Sequence, residues 1–357
     1  MTSGTGVVGY RVAISLWEAG HKDIRVGVYK GSSPGVDSGA YGDSFGAKCA
    51  EELIKRKIEV INFDWSNPSQ YDDALRDVKT VFCSLPHIKN WADVFPTFLA
   101  KCKAHKVEHF VKLSFLRATH AFKGVAEIAR TYRDNVPFVK FHGVCDDLLE
   151  LAKQDSRISY TILATSHLMT STLLNQGPHL RQEKKFITAS YGMGVNYVSP
   201  NDVADAAVVV LLNQKPHRNK VYNLTGAGPI RDSEVAKELS KAYGTEIEHV
   251  QLGYHSYVAD VKKRGLPHFM ARDAAAMERM KAMGIDENVD SYTKDLEKLI
   301  GKAPETFAGY LTHKSAMVSF RRHCLFWFSR RHSHSRCLYL LYVLSTATWY
   351  DVPINIC

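Results

Sequence analysis

The chain has 357 residues, 45% hydrophobic and 23% charged, enough apolar mass for one large globular domain or two smaller ones. These values exclude a disordered chain, a collagen-like repeat and a disulfide scaffold. The net charge is +9, but Arg321, Arg322, Arg330, Arg331 and Arg336 against Asp351 put about +4 of it in the last part of the chain, so the mildly basic body gives nucleic-acid binding no support.

In chain order, the first informative stretch is Thr2 to Ala19, TSGTGVVGYRVAISLWEA. Gly4, Gly6 and Gly9 stand in G-x-G-x-x-G spacing and open a segment whose Val8, Val12, Ile14, Leu16 and Trp17 fit one helix face. Glycines at these places let the backbone turn sharply and approach a pyrophosphate, and the helix behind them offers unpaired N–H groups and the positive end of its dipole. Gly4, Thr5, Gly6, Val7, Val8 and Gly9 are therefore the expected dinucleotide cradle. Only Met1, Thr2 and Ser3 precede it, so the strand that ordinarily delivers such a loop has no residues to form it, and the sheet is expected with its first strand truncated.

After Gly20 comes DIRVGVYK, Asp23 to Lys30, which reads as a buried strand. An acid at its end would bind the ribose hydroxyls of NAD; Lys30 instead suits the extra phosphate of NADP, although a lysine capping a strand at the surface has the same sequence. Residues 31–45 form a polar, glycine-rich loop, followed by a helix from about Gly46 to Lys57. The next strand, Ile58 to Trp65, ends in Asp64 and Trp65 at the sheet edge where open α/β proteins bind ligands. They are candidates for a polar contact and an adenine neighbour, while Asp64 could equally cap the helix that Pro68 begins.

Helix near Ser69 to Asp77, strand Lys79 to Ser84, helix Trp91 to His105 and strand His109 to Ser114 continue the alternation. Repeated strand and helix of this size mean parallel strands with right-handed crossovers, a doubly wound, mostly parallel Rossmann-type sheet. Leu85, Pro86 and His87 end one strand and Ser114 another, so they should border the cleft over which a nicotinamide lies. Beyond residue 140 the pattern predicts a helix in FHGVCDDLLELAK, a strand from Ser159, a helix after Asn201, the strand KVYNLTG, and helices at Asp232 to Tyr243, Tyr254 to Arg264, Phe269 to Met283 and Val289 to Ile300.

Together these pieces resemble the NmrA-like group of atypical short-chain dehydrogenase/reductase proteins, from Ser3 to about Tyr310. TSGTGVVG resembles the family's glycine loop, INFDW its strand ending in an acid and VEHFVKLSF its strand ending in serine. VSPNDVADAAVVVLL, KVYNLTGAGPIRDSEVAKELS and GKAPETFAGYL resemble segments of the second half. The resemblance implies a Rossmann domain at 1–150 and a smaller interleaved α/β region at 151–310 for a small aromatic substrate or a regulated protein partner. Members include cofactor-ratio sensors and NADPH-dependent reductases of quinones, azo dyes or phenylpropanoids.

Three features depart from the family. In its register the first glycine falls on Ser3, whose side chain crowds the turn. The first strand is absent. The Tyr-x-x-x-Lys pair of the enzymatic relatives is missing from its helix, which reads His142, Val144, Asp146 and Asp147; Tyr310 and Lys314 have the spacing but lie beyond the last body helix. His142 with Asp146 one turn away is a weak candidate general acid, and an ordinary pair on a solvated helix face is the simpler reading. We accordingly expect NADP(H) in preference to NAD(H), and a cofactor sensor or regulator of low or no catalytic activity, with NADPH-dependent reduction of quinones or azo compounds as the alternative.

Seven cysteines, odd in number and without a C-x-x-C pair, point to reduced thiols and no metal site, with Cys83 and Cys102 as small buried hydrophobes. No basic region followed by an apolar run opens the chain, so a cytoplasmic location is expected. Residues 311–357 change composition abruptly; the uncharged run Cys337 to Tyr350 is shorter than the roughly 18 residues of a spanning helix. This tail is expected outside the fold.

Overall fold

The computed structural model describes residues 1–29, 45–86, 88, 91–118, 135–155, 158–264, 268–287 and 292–313. Through the first half, helix and strand alternate: α1 (Val7–Glu18), β1 (Arg25–Val28), α2 (Phe45–Lys55), β2 (Glu59–Asn62), α3 (Tyr71–Leu75), β3 (Thr80–Cys83), α4 (Trp91–Ala104), β4 (His109–Phe115), α5 (Pro137–Asp155) and β5 (Ser159–Thr165). The second half contains β6 (His167–Leu168), α6 (Met169–Pro178), β7 (Lys185–Thr188), β8 (Gly194–Val198), α7 (Pro200–Leu212), β9 (Lys220–Leu224), β10 (Pro229–Arg231), α8 (Asp232–Tyr243), β11 (Glu248–Gln251), α9 (Tyr254–Lys263), α10 (His268–Ala282), α11 (Asp295–Ile300) and α12 (Phe307–Thr312).

β3, β4, β5 and β9 form one parallel sheet in that order, and β1 pairs in parallel with β2. The strand missing from the sequence pattern has a counterpart in the gap between them. Met1 N donates to Arg25 O, Gly27 N to Met1 O, and Gly4 N to Gly27 O on the β1 side, while Thr2 N donates to Phe82 O on the β3 side. The first strand is truncated, as expected, and Met1–Gly4 join the two sheets into one sequence of neighbours, β2, β1, Met1–Gly4, β3, β4, β5, β9. Four residues suffice to link the sheets because their backbone groups bond to neighbours on both sides.

The fold is the expected doubly wound, mostly parallel α/β arrangement. On one face α1 and α7 bury Val12, Ala13, Ala204 and Ala207 against Val26, Val111, Leu113 and Leu163. On the other, α4 and α5 bury Phe95, Phe98, Cys102 and Leu149 against Val81, Cys83, Phe110 and Ile162. Both Cys83 and Cys102 are core residues, as expected from their surroundings in sequence. The two-residue period of β4 sends Phe110, Lys112 and Ser114 toward α5, and Val111 and Leu113 toward α1.

A smaller region follows. β8 pairs in parallel with β6 and antiparallel with β10, and β7 pairs in parallel with β11. Phe186, Val195, Tyr197, Val235, Leu239, Phe307, Tyr310 and Leu311 form its core. Because Leu311 is buried and α12 runs to Thr312, the fold extends slightly beyond Tyr310; residues 314–357 lie outside the described residues. Among the described residues no helix is long and apolar enough to cross a membrane, and no group of His, Cys, Asp and Glu could hold a metal ion.

Candidate functional site

The glycine loop is built around two close approaches. A β-carbon on Gly4 would overlap Val26 Cγ1, and one on Gly9 would overlap the carbonyl oxygen of Ser3. Gly9 therefore lets α1 begin directly against the loop. Ser3 carries the turn itself, with φ of 51°, a left-handed value that ordinarily favours glycine. Its hydroxyl donates to Ser84 O at 2.9 Å, and the Thr2 hydroxyl pairs with both N and O of Ser84, so the serine that stands where the family has glycine is pinned to the end of β3. The loop is well held.

α1 has Gly6 as its N-cap, with no side chain capping it and no acidic residue in its first turn. The N–H groups at the start of a helix lack intrahelical partners, and no carboxylate of the first turn competes for them. A cradle that excludes β-carbons and presents amides at a dipole's positive end fits the diphosphate of a dinucleotide.

Moving along the same sheet edge, Ser114 near the end of β4 donates to Asp146 Oδ2 at 2.5 Å, and Lys112 Nζ donates to Asp146 Oδ1 at 2.7 Å and to His142 Nδ1 at 3.2 Å. All four are buried, Lys112 completely. The simpler reading of His142 and Asp146 as a solvated pair is corrected: their face of α5 is turned onto β4. Burial pushes the Asp146 carboxyl above the usual carboxylate range, against the opposing pull of Lys112 and the Ser114 hydrogen bond. Lys112 comes from the strand beneath α5, and its Nζ is consumed by Asp146 and His142. The cluster fixes the Ser114 hydroxyl at the edge; the His142 imidazole is part of its support.

The next strand end was missed in the sequence. Ser166 and His167 follow β5, Arg117 follows β4, and Asp286 comes from the turn at Ile285–Glu287. Arg117 forms an ion pair with Asp286 at 2.7 Å in which both side chains are almost wholly buried. The His167 ring lies against Phe115 and Tyr197, centroids 5.4 and 6.1 Å away, with Nε2 3.7 Å from Asp286 Oδ2. Burial, helped by the nearby Lys281 and Arg117 cations, holds this imidazole well below its usual pKa, so it is neutral. The only sequence signal was a histidine directly after an apolar strand.

The remaining candidates divide. Asp64 Oδ1 accepts from Ser66 N at 2.8 Å, which makes it the cap of its own turn, and Asn67 caps the following 3₁₀ turn. Trp65 is buried among Phe63, Tyr71, Trp91 and Phe98, so its ring belongs to the core. Leu85 is buried in the same cluster, and Pro86 O accepts from Trp91 Nε1, which anchors the segment after β3. Lys30 and His87 lie outside the described residues.

Residues 47–214 match a family model described as NAD(P)H-binding. The solved structures that this chain resembles show its fold to be Rossmann-type. The NmrA-like resemblance is consistent with this match. The chain is 24% identical over 323 residues to the uncharacterized oxidoreductase YesF of Bacillus subtilis, covering 90% of this chain and 96% of that protein. Its fold matches the NADPH complex of an Escherichia coli NADPH-dependent quinone oxidoreductase with a TM-score of 0.67, at 23% identity over 88% of this chain and 98% of the other. A Citrobacter sp. triphenylmethane reductase complexed with NADP(H) matches with a TM-score of 0.65, at 22% identity over 87% and 97% of the two chains.

Proposed function

We propose that this protein is an NADPH-dependent reductase of conjugated acceptors of the quinone type. The observation that carries the reading is the alignment along one sheet edge of a diphosphate cradle at Gly4–Gly9, a braced hydroxyl at Ser114 and a polar strand end at Ser166 and His167. At about 4.8 Å per strand, Ser114 stands two strands and His167 three strands from the cradle, roughly 10 and 14 Å away. That order suits a diphosphate, a nicotinamide nucleotide and then an acceptor.

NADPH, when bound, supplies a hydride. The chain's own task is to hold the cofactor at the α1 N-terminus, to present Ser114 on the nicotinamide side, and to bring the acceptor against it. α5 contains no tyrosine, and Lys112 is occupied beneath Ser114, which disfavours alcohol chemistry that needs a phenol as proton donor. Quinones draw their proton from solvent and require no such group. The lack of an acid at the end of β1, where Tyr29 and Lys30 stand, favours NADP(H) over NAD(H).

Calorimetric titration with NADPH, NADP+, NADH and NAD+ and anaerobic turnover with 1,4-naphthoquinone test the proposal together. The expected outcome is tighter binding of the phosphorylated forms and acceptor-dependent loss of NADPH absorbance. Tight binding without turnover of any quinone or azo dye would favour the sensor reading that the absent tyrosine suggests; no heat with any of the four nucleotides would defeat both.

A further inference from the structure

Buried polar side chains in folded proteins are nearly always hydrogen-bonded, so those without partners mark places built for something else. Three such atoms lie on segments that converge beyond β5: Ser166 Oγ, His167 Nε2 and Asn196 Nδ2 have no hydrogen-bond partner among the described residues. Their backbones show how close they stand. Ser166 N donates to Leu224 O, Gly226 N donates to Asn196 Oδ1, Asn196 N donates to Asp286 Oδ2, and His167 pairs with Tyr197 across β6 and β8.

From this convergence we infer that the unpartnered donors form the polar end of the acceptor pocket, and that His167 is a catalytic residue whose Nε2–H donates to the carbonyl oxygen of a bound quinone. The inference rests on the reductase reading and specifies its acceptor side. Thr165 Oγ1 donates to Ser114 O, so the ends of β4 and β5 are tied and His167 is fixed relative to the cofactor-side serine. The Phe115 and Tyr197 rings hold the imidazole edge-on, and the Asp286 carboxylate beyond hydrogen-bond distance favours the tautomer with its proton on Nε2.

The acceptor gains a hydride at one end of its conjugated system, the displaced electron pair collects on the far carbonyl oxygen, and that oxygen draws its proton from solvent. NADPH is oxidised to NADP+ and the quinone reduced to the hydroquinone. His167 lowers the barrier by hydrogen-bonding the oxygen as charge develops there. A neutral imidazole suits this task because it donates without carrying a charge into an apolar enclosure. Ser166 and Asn196 offer the same oxygen, or a hydroxyl beside it, further polar contacts.

The test uses the full chain and His167→Ala and His167→Gln. With NADPH and 1,4-naphthoquinone, His167→Ala should lower kcat at least about tenfold, as loss of one oxyanion donor does, and His167→Gln should recover part of it through its amide. NADPH affinity by calorimetry should stay at the wild-type value, while the melting temperature falls by some degrees in His167→Ala, whose truncation leaves a cavity between Phe115 and Tyr197, and less in His167→Gln. As a readout independent of turnover, the imidazole ¹⁵N spectrum of the NADP+-loaded protein should show the His167 Nε2 resonance move on addition of 1,4-naphthohydroquinone. Unchanged kcat in His167→Ala with an unmoved resonance overturns the inference while the reductase reading stands. If the wild-type protein reduces no acceptor, the reductase reading falls and the resonance decides: movement supports an oxygen ligand at His167, and no movement overturns it.

Discussion

Burial raises the pKa of the Asp146 carboxyl, and Lys112 and the Ser114 hydroxyl pull against it. Asp146 holds Lys112 at 2.7 Å and Ser114 at 2.5 Å with its two oxygens, in a site from which water is excluded. A buried pair of this kind adds little net stability over apolar residues, but removing one partner strands the other. Lys112→Met should therefore destabilise the protein by about 3–5 kcal/mol, measured by urea unfolding, and Lys112→Met combined with Asp146→Leu should recover most of the loss. The sequence contained half of this cluster. His142 and Asp146 were legible as one helical face, and a lysine inside the apolar run HFVKLSF is the usual sign of a buried partner. That the face turns inward was decided by how α5 packs on β4, which no local pattern encodes.

Among the elements, α1 and its loop carry cofactor binding in the proposed reading, and their glycines differ in kind. Gly9 lies against the Ser3 carbonyl, so an added methyl group meets backbone that cannot rotate away. Gly9→Ala should displace α1 from the loop, weaken NADPH binding at least about tenfold in calorimetry and lower stability by about 1–3 kcal/mol. Gly20, at φ of 95° with open space around it, provides the control: Gly20→Ala should cost about 1 kcal/mol through backbone strain alone and leave NADPH affinity unchanged. The glycine spacing was readable from the sequence, whereas the placement of Met1–Gly4 between β1 and β3 was not. Strands of two to five residues such as β6, β7, β8, β10 and β11 escaped for a related reason: too few side chains repeat to define a period, and their pairing partners are distant in sequence.

For the molecule as a whole, stability should depend on pH through histidines that fold neutral. His109 at the start of β4 is buried against Ser159 and Thr161 of β5, with Nδ1 2.8 Å from Ser159 Oγ and Nε2 3.1 Å from Thr161 Oγ1. Burial, with smaller contributions from Arg218 and His217, lowers its pKa from 6.5 to about 4. The unfolded chain then binds the proton more readily, so the stabilisation is complete above pH 6.5 and is lost as pH falls from there toward 4, by about 3 kcal/mol at most. Unfolding free energies measured by urea between pH 7.5 and 4.5 should fall for the wild-type protein. The fall should be shallower for His109→Gln. His167, neutral for the same reason, adds to the slope in the same direction.

By itself the sequence determined the alternation of strands and helices, the position of the glycine-rich loop before α1 and the absence of a tyrosine on α5, because these depend on residue types at short, regular spacing. The tertiary structure alone decided that Trp65 fills the core, that Lys112 is spent beneath Ser114, and that Arg117, His167 and Asp286 meet beyond the strand ends. Those residues are separated by 50 to 169 positions in the chain, and only the crossovers of a parallel sheet bring such distant side chains to one edge.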